Sequence, residues 1–141
     1  MQRRIFRLGE ARGETTVRLH HIVISHPDAE FTAQLHERFH QKGYSVHLAR
    51  SGEQARFLTR RFLADLVVLQ TDMLPESGWL TCHKLTREYP FSKVILVAPV
   101  PTSEDHRLAR FVSASAIVDR FDGVDGILEQ VDEIDLETRT A

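Results

Sequence analysis

The run Leu66-Val67-Val68-Leu69 stops abruptly in Gln70-Thr71-Asp72-Met73-Leu74-Pro75-Glu76-Ser77-Gly78. An apolar run this short and without alternation suits a strand covered on both faces, as in a parallel sheet flanked by helices. The polar break, closed by Pro75 and Gly78, marks where the chain leaves the core. In open α/β sheets ligands bind beyond the carboxyl ends of such strands. Gln70, Thr71 and Asp72 are therefore where chemistry is expected.

The rest of the chain supplies partners for that strand. Leu19 to Ile24 is apolar and breaks at Ser25-His26-Pro27-Asp28, and a helix is expected from about Ala29 to Lys42, with cap signals at Ser25, Asp28 and Gly43. Phe31, Leu35 and Phe39 share one face of that helix. Tyr44 to Ala49 alternates as a half-buried strand, and Ser51-Gly52-Glu53 starts a helix through Phe62 with Ala55, Leu58 and Phe62 inward. After Gly78, Trp79 to Tyr89 forms a third helix that must stop before Pro90. Val94 to Ala98 is a fourth strand, Ser103 to Val112 a helix, Ala116 to Asp119 a fifth strand, and Val124 to about Leu136 a last helix.

Strands alternating with helices in this way give an α/β fold. Right-handed crossovers put helices on both faces of a doubly wound five-stranded parallel sheet, and the flavodoxin-like order 2-1-3-4-5 suits units of this length. At 141 residues one domain is expected, large enough to bury roughly 70% of its unfolded surface. The expected division is an N-terminal extension over 1–16, the domain over 17–136 and a tail over 137–141.

Composition excludes several classes of function. The single cysteine, Cys82, rules out a disulfide framework within the chain and has no metal-binding or redox partner beside it. Buried packing is its expected role. No apolar run approaches the length of a membrane span, and the N-terminus lacks a secretory apolar block, so a cytoplasmic protein without membrane contact is expected. The net charge is −2 but unevenly spread: residues 1–21 hold five Arg against two Glu, and residues 122–141 hold seven acids against one Arg. Five Arg without interleaved aromatics or a recognition helix do not make a nucleic-acid module. His36 and His40 are one helical turn apart without a third ligand, and His20 and His21 point to opposite sides of a strand, so no metal site is expected.

Laid out in this order, residues from about 18 to 135 resemble a response-regulator receiver domain. The resemblance is carried by Lys42-Gly43-Tyr44 at its distance from the first strand, by Asp72-Met73-Leu74-Pro75 followed by Gly78-Trp79-Leu80, and by Ser115-Ala116-Ile117-Val118. It implies an aspartate at the end of the third strand phosphorylated by a histidine kinase, and two acids after the first strand that hold Mg²⁺. It also implies a Thr or Ser after the fourth strand and a Lys after the fifth, both touching the phosphoryl group. Such a set is chemically coherent, because a carboxylate nucleophile needs the incoming charge neutralised by a hard cation and an ammonium.

This chain departs from that set at nearly every position. Counting back from Pro75, the acceptor position is Thr71, and the acid pair falls on His26 and Pro27, followed by Asp28. The hydroxyl position is Ala98, the aromatic switch position is Ile117, and the lysine position is Arg120, followed by Phe121 instead of Pro. The segment from Pro75 to Gly78 is one residue shorter than the family pattern, which leaves Asp72 as an alternative acceptor with Asp28 as a lone metal ligand.

The expected function is a pseudo-receiver, a non-enzymatic interaction module in signal transduction whose output is independent of aspartyl phosphorylation. No cofactor is implied, Mg²⁺ entering only with the alternative of a phosphoaccepting receiver using Asp72. A second alternative is a small-ligand-binding regulatory domain. The expected partner is a signalling protein, a histidine kinase or an output domain. Homodimerisation is expected through a fourth-helix to fifth-helix surface that mixes Arg107 and Arg110 with Asp119, Asp125, Glu129 and Asp132. Arg120 is expected to pair with Asp72 or a nearby acid in place of a phosphoryl group.

Overall fold

The computed structural model describes residues 20–134. The expected extension over 1–16 and tail over 137–141 lie outside the described residues, as do 17–19 and 135–136.

Five strands alternate with five helices: β1 His21–Ser25, α1 Ala29–Gln41, β2 Ser45–Leu48, α2 Gly52–Phe62, β3 Leu66–Gln70, α3 Gly78–Glu88, β4 Lys93–Ala98, α4 Ser103–Phe111, β5 Ala116–Asp119 and α5 Gly123–Ile134. A single 3-10 turn, Arg120–Asp122, joins β5 to α5 and was not expected from the sequence. All neighbouring strands are parallel and their order is β2-β1-β3-β4-β5, the flavodoxin-like arrangement. The central pairing sets Ile22 opposite Leu66 and Val67 opposite Val94.

The continuous apolar runs follow from helices covering both faces. Successive side chains of a strand point to opposite sides. Ile22, Ile24, Leu66, Val68 and Ile95 therefore meet α1 and α5 through Phe31, Leu35, Phe39 and Ile127. Val23, Val67, Leu69, Val94 and Leu96 meet α2, α3 and α4 through Ala55, Cys82, Leu85 and Ala109. Full burial of one such aliphatic side chain contributes about 1.5–3 kcal/mol, so these two layers dominate stability.

Short polar residues start the helices where their oxygens can take orphan N–H groups. Asp28 accepts from Glu30 and Phe31, Ser51 from Gln54 and Ser77 from Leu80, while Thr102 and Asp105 form a reciprocal capping box. Of the expected cap residues at the start of α1, Asp28 is the one used. In α2 Gly52, Ala55 and Thr59 are buried, and Leu58, half-buried, packs inward against the same layer as expected, whereas Phe62 is only half-buried. Thr59 can occupy the core because its hydroxyl donates back to the Ala55 carbonyl at 2.8 Å. Phe62 instead turns to the sheet edge, where its ring stacks on His47 at 3.8 Å.

Gly78 fixes how α3 leaves the central strand. Its N–H donates to the Thr71 carbonyl at 2.9 Å, and a Cβ there would run into the Gln70 carbonyl and stand 3.0 Å from the Thr71 Cα. No side chain fits this approach, so the β3–α3 loop is as tight as its sequence is specific.

Candidate functional site

At the carboxyl edge, between β1 and β3, lies a cleft of about 270 Å³ lined by Ser25, His26, Pro27, Arg50, Asp72, Met73 and Leu74. It contains three of the expected positions, His26, Pro27 and Asp72. Ser25, Arg50, Met73 and Leu74 were not among the expected site residues.

Thr71 is 5% exposed and tied at both main-chain groups, its N–H to the Val97 carbonyl at 3.0 Å and its carbonyl to Gly78. Asp72, the next residue, is exposed and lines the cleft, with Gln70 Nε2 donating to its Oδ1. Ala98 closes β4 as a buried methyl in register with Asp119, and Ile117 is half-buried opposite Leu96. Neither can hydrogen-bond an anion through its side chain.

His26 belongs to the start of α1 more than to the cleft. Its Nδ1 accepts the Asp28 N–H at 3.1 Å and its ring lies 4.6 Å from that of Phe31. Burial, assisted by the Arg120 charge, pushes its pKa down to about 4. The ring is thus neutral at neutral pH, and with Nδ1 accepting, its proton sits on Nε2, a buried atom without a hydrogen-bond partner among the described residues.

Asp28 is fully engaged. Oδ1 accepts from the Glu30 and Phe31 N–H groups at 3.0 and 3.1 Å, and Oδ2 accepts from Arg120 Nη2. Arg120 in turn lies over the Phe31 ring, with Cζ 4.3 Å from the ring centre. The Phe31 N–H and then the Arg120 guanidinium hold the Asp28 carboxyl below its usual range. Arg120 therefore pairs with a nearby acid, Asp28, and joins the end of β5 to the start of α1. On the other side of the 3-10 turn, Asp119 Oδ1 accepts from Phe121 N–H at 2.9 Å and from Val100 N–H at 3.2 Å, holding Val100 in the left-handed region at φ 43°.

Mg²⁺, which the fold family implies, does not fit these donors. Hard cations take oxygen ligands, with at least one or two carboxylates for Mg²⁺. His26 and Pro27, the positions expected for the acid pair, carry no carboxylate, and both Asp28 oxygens serve the helix cap and Arg120. Asp72 is the one carboxylate lining the cleft among the described residues. Elsewhere, no group of three or more His, Cys, Asp or Glu among the described residues is arranged to hold a metal, and the His36 and His40 rings lie 6.2 Å apart.

The densest polar cluster was not legible in the sequence. Glu76 accepts from Arg56 Nε and Nη2 at 3.1 and 3.0 Å, from Thr81 Oγ1 at 2.5 Å and from Lys84 Nζ at 3.0 Å. Burial alone would raise its pKa, but Arg56, Thr81 and Lys84 outweigh that and bring it down to about 2. One carboxylate thereby joins the β3–α3 loop to α2 and α3. The signal available in advance was only an acid beside Pro75, with its partners 20 residues back and 8 ahead.

The residues expected at an interface divide in two. Arg107 pairs with Glu104 at 3.0 Å, Asp125 with Arg38 at 3.3 Å, and Asp119 caps the 3-10 turn. Arg110, Glu129 and Asp132 are exposed. Cys82 is buried, and burial pushes its thiol up to about 12, as suits a packing residue.

No family model and no curated protein matches the sequence. Solved structures do. A CheY-like receiver domain from Methanospirillum hungatei superposes with a TM-score of 0.77 at 18% identity, covering 86% of this chain and 96% of that one. The chemotaxis protein CheY4 of Vibrio cholerae gives 0.76 at 13% identity, over 82% and 98% of the two chains. The response regulator DrrB of Thermotoga maritima, an OmpR/PhoB homologue, gives 0.76 at 21% identity over 87% of this chain and 55% of its own. The chain has the receiver fold.

Proposed function

We propose that this receiver-fold domain is a pseudo-receiver, a protein-interaction module in signal transduction whose output is independent of aspartyl phosphorylation. The observation that carries the proposal is the Arg120–Asp28 pair over Phe31. The cation that would meet a phosphoryl group is spent on the cap of α1, and that same cap consumes the nearest acid. With Thr71 buried at the acceptor position, the carboxyl edge is held in one arrangement without any modification.

Such a domain transmits by offering a fixed surface to a signalling protein, a histidine kinase or an output domain, and a cytoplasmic setting fits that role. No helix among the described residues is long and apolar enough to cross a membrane. The exposure of Asp72 at the cleft favours one second reading, a receiver that accepts phosphoryl there. Incubation with a small-molecule phosphodonor and Mg²⁺, followed by intact-mass measurement, decides between them. The expected result is an unchanged mass. A gain of one phosphoryl group that disappears in Asp72→Asn would replace the pseudo-receiver by its rival.

A further inference from the structure

Charge is segregated between the two faces of the sheet. On the face covered by α1 and α5, residues 28–42 and 120–134 together hold eight acids against three Arg or Lys. On the other face, residues 50–63 around α2 hold four Arg against one Glu. Fields of opposite sign on opposite sides of one small domain orient whatever approaches it.

The fold's own contacts account for Arg56, Asp28 and Asp125, but not for the rest of either charged surface. Arg60 and Arg61 are exposed, and no ion pair engages them among the described residues; their guanidinium carbons lie 5.9 and 5.5 Å from the centres of the Phe57 and Phe62 rings. Phe57 is itself 51% exposed and Leu63 56%, so α2 presents apolar surface rimmed by cations. On α5, Glu129, Asp132 and Glu133 are exposed, and the last turn of the helix carries no base. Acids at a helix C-terminus oppose the macrodipole, so these charges cost helix stability. Beside them, between α1 and α5, runs a cleft of about 390 Å³ lined by Ala33, Gln34, Glu37, Arg38 and Val124, whose one cation is already paired with Asp125.

We propose that copies of this chain associate head to tail, the α2 face of one copy seated on the α1–α5 face of the next. Phe57 occupies the α1–α5 cleft, and Arg60 and Arg61 face Glu129, Asp132 and Glu133. The occupant is a second copy because both halves of the complementary pair are present on one chain. The two patches lie on opposite faces of the sheet, so a two-fold axis cannot bring them together in a closed dimer. A heterologous contact of this kind propagates. The contact is separate from the cleft at β1 and β3 and does not depend on whether Asp72 is ever modified.

Sedimentation velocity of the full chain at low salt tests this. The weight-average mass is expected to rise with concentration past that of a dimer, and 0.5 M salt, by screening exposed charges, is expected to weaken association at least tenfold. Two variants sharpen the test. R60E/R61E loses the basic face and D132K/E133K the acidic one, and each alone is expected to be a folded monomer; the second is expected to melt no lower than the parent, because its new charges favour the helix end. Mixed in equal amounts they are expected to associate again and to grow past a dimer, since the two unaltered faces meet each other and the two reversed faces, now of opposite sign to one another, do the same. A parent that stays monomeric at low salt, or a mixture that does not pair, overturns the proposal. So does a mass that plateaus at a dimer sensitive to R107E/R110E but not to R60E/R61E, which would place a two-fold contact on α4.

Discussion

Asp72 and Glu76 stand four residues apart on one loop, yet they are opposite kinds of carboxylate. Glu76 has a side chain 13% exposed, takes charge-assisted hydrogen bonds from Arg56 and Lys84, and titrates at about 2. Asp72 is exposed and has one side-chain donor, Gln70. The first builds the loop and the second is displayed by it. An acid at a strand end thus becomes structural or chemically available according to what the neighbouring helices send toward it. Here α2 and α3 send cations to Glu76, whereas β5 and the 3-10 turn send Arg120 to Asp28 and leave Asp72 aside.

The contrast breaks most completely if the loop cannot close. Gly78→Ala forces a Cβ into the Gln70 carbonyl, and main chain cannot yield as a flexible side chain can. A loss of about 3 kcal/mol or more is expected, since overpacking of this severity exceeds the ordinary 1–3 kcal/mol. Chemical denaturation of the variant would show it as a large drop in midpoint.

Next in size is Glu76→Ala, which strands Arg56 and Lys84. Exposed pairs are worth less than about 1 kcal/mol, whereas breaking a buried one costs about 3–5. The Arg56 and Lys84 side chains are 27% and 42% exposed, so the cost falls between these limits. About 2 kcal/mol is expected, with Tm lower by roughly 8 °C for a domain of this size. A Tm unchanged within error would mean that the cluster is decoration, and that Glu76 and Asp72 do not differ as argued.

Acid pH separates the contributions. His26 and His47 are both pushed down to about 4 by burial, with the Arg120 charge acting on His26 and His21 on His47. Between the usual 6.5 and about 4 the unfolded chain binds more protons than the folded one, so stability falls as pH drops through that window. Glu76, brought down to about 2, loses its contribution lower still, between the usual carboxylate range and about 2. Replacing His26 by Gln is expected to flatten the dependence of Tm on pH between 6.5 and 4 by a few degrees and leave the acid-most limb intact. An unaltered slope in that window would show that His26 titrates normally.

How much of this was legible in the sequence follows from the range of each interaction. The strands and helices were, because continuous Leu/Val/Ile runs and i, i+4 aromatics such as Phe31, Leu35 and Phe39 are local patterns set by a core on both sheet faces. β3 falls on Leu66–Gln70 and β5 on Ala116–Asp119 as expected, and the other boundaries agree or differ by at most two residues at the described ends. The departure in α2 is Thr59, which satisfies its hydroxyl within its own helix and enters the core while Phe62 turns to the sheet edge, and hydrophobicity alone does not foresee it. At the site, that Arg120 pairs with an acid was legible, and which acid was not. Arg120 and Asp28 are 92 residues apart, and what unites them is the cap at α1, a packing consequence of β1 and β5 ending at the same edge. Glu76 was invisible for a similar reason, since a lone acid does not announce that helices on either side will aim cations at it.

The smallest effect, and the sharpest statement of the contrast, is expected from Asp72→Asn. The substitution keeps the size of the side chain and an oxygen that can accept from Gln70, and it removes only the charge. At an exposed position that charge has no salt bridge to lose among the described residues, so the expected change in stability is within about 0.5 kcal/mol, the ordinary range for surface substitutions. Glu76→Gln, the same chemical change four residues on, replaces a carboxylate that holds two cations by an amide whose nitrogen must face one of them. It is expected to cost a clear fraction of what Glu76→Ala costs. Measured side by side in one denaturation series, the two isosteric changes leave burial almost constant and compare charge alone. If Asp72→Asn proved as costly as Glu76→Gln, Asp72 would be bound into the fold as firmly as its neighbour. It would then be no more available to a phosphoryl donor than the acids already spent at Asp28 and Glu76.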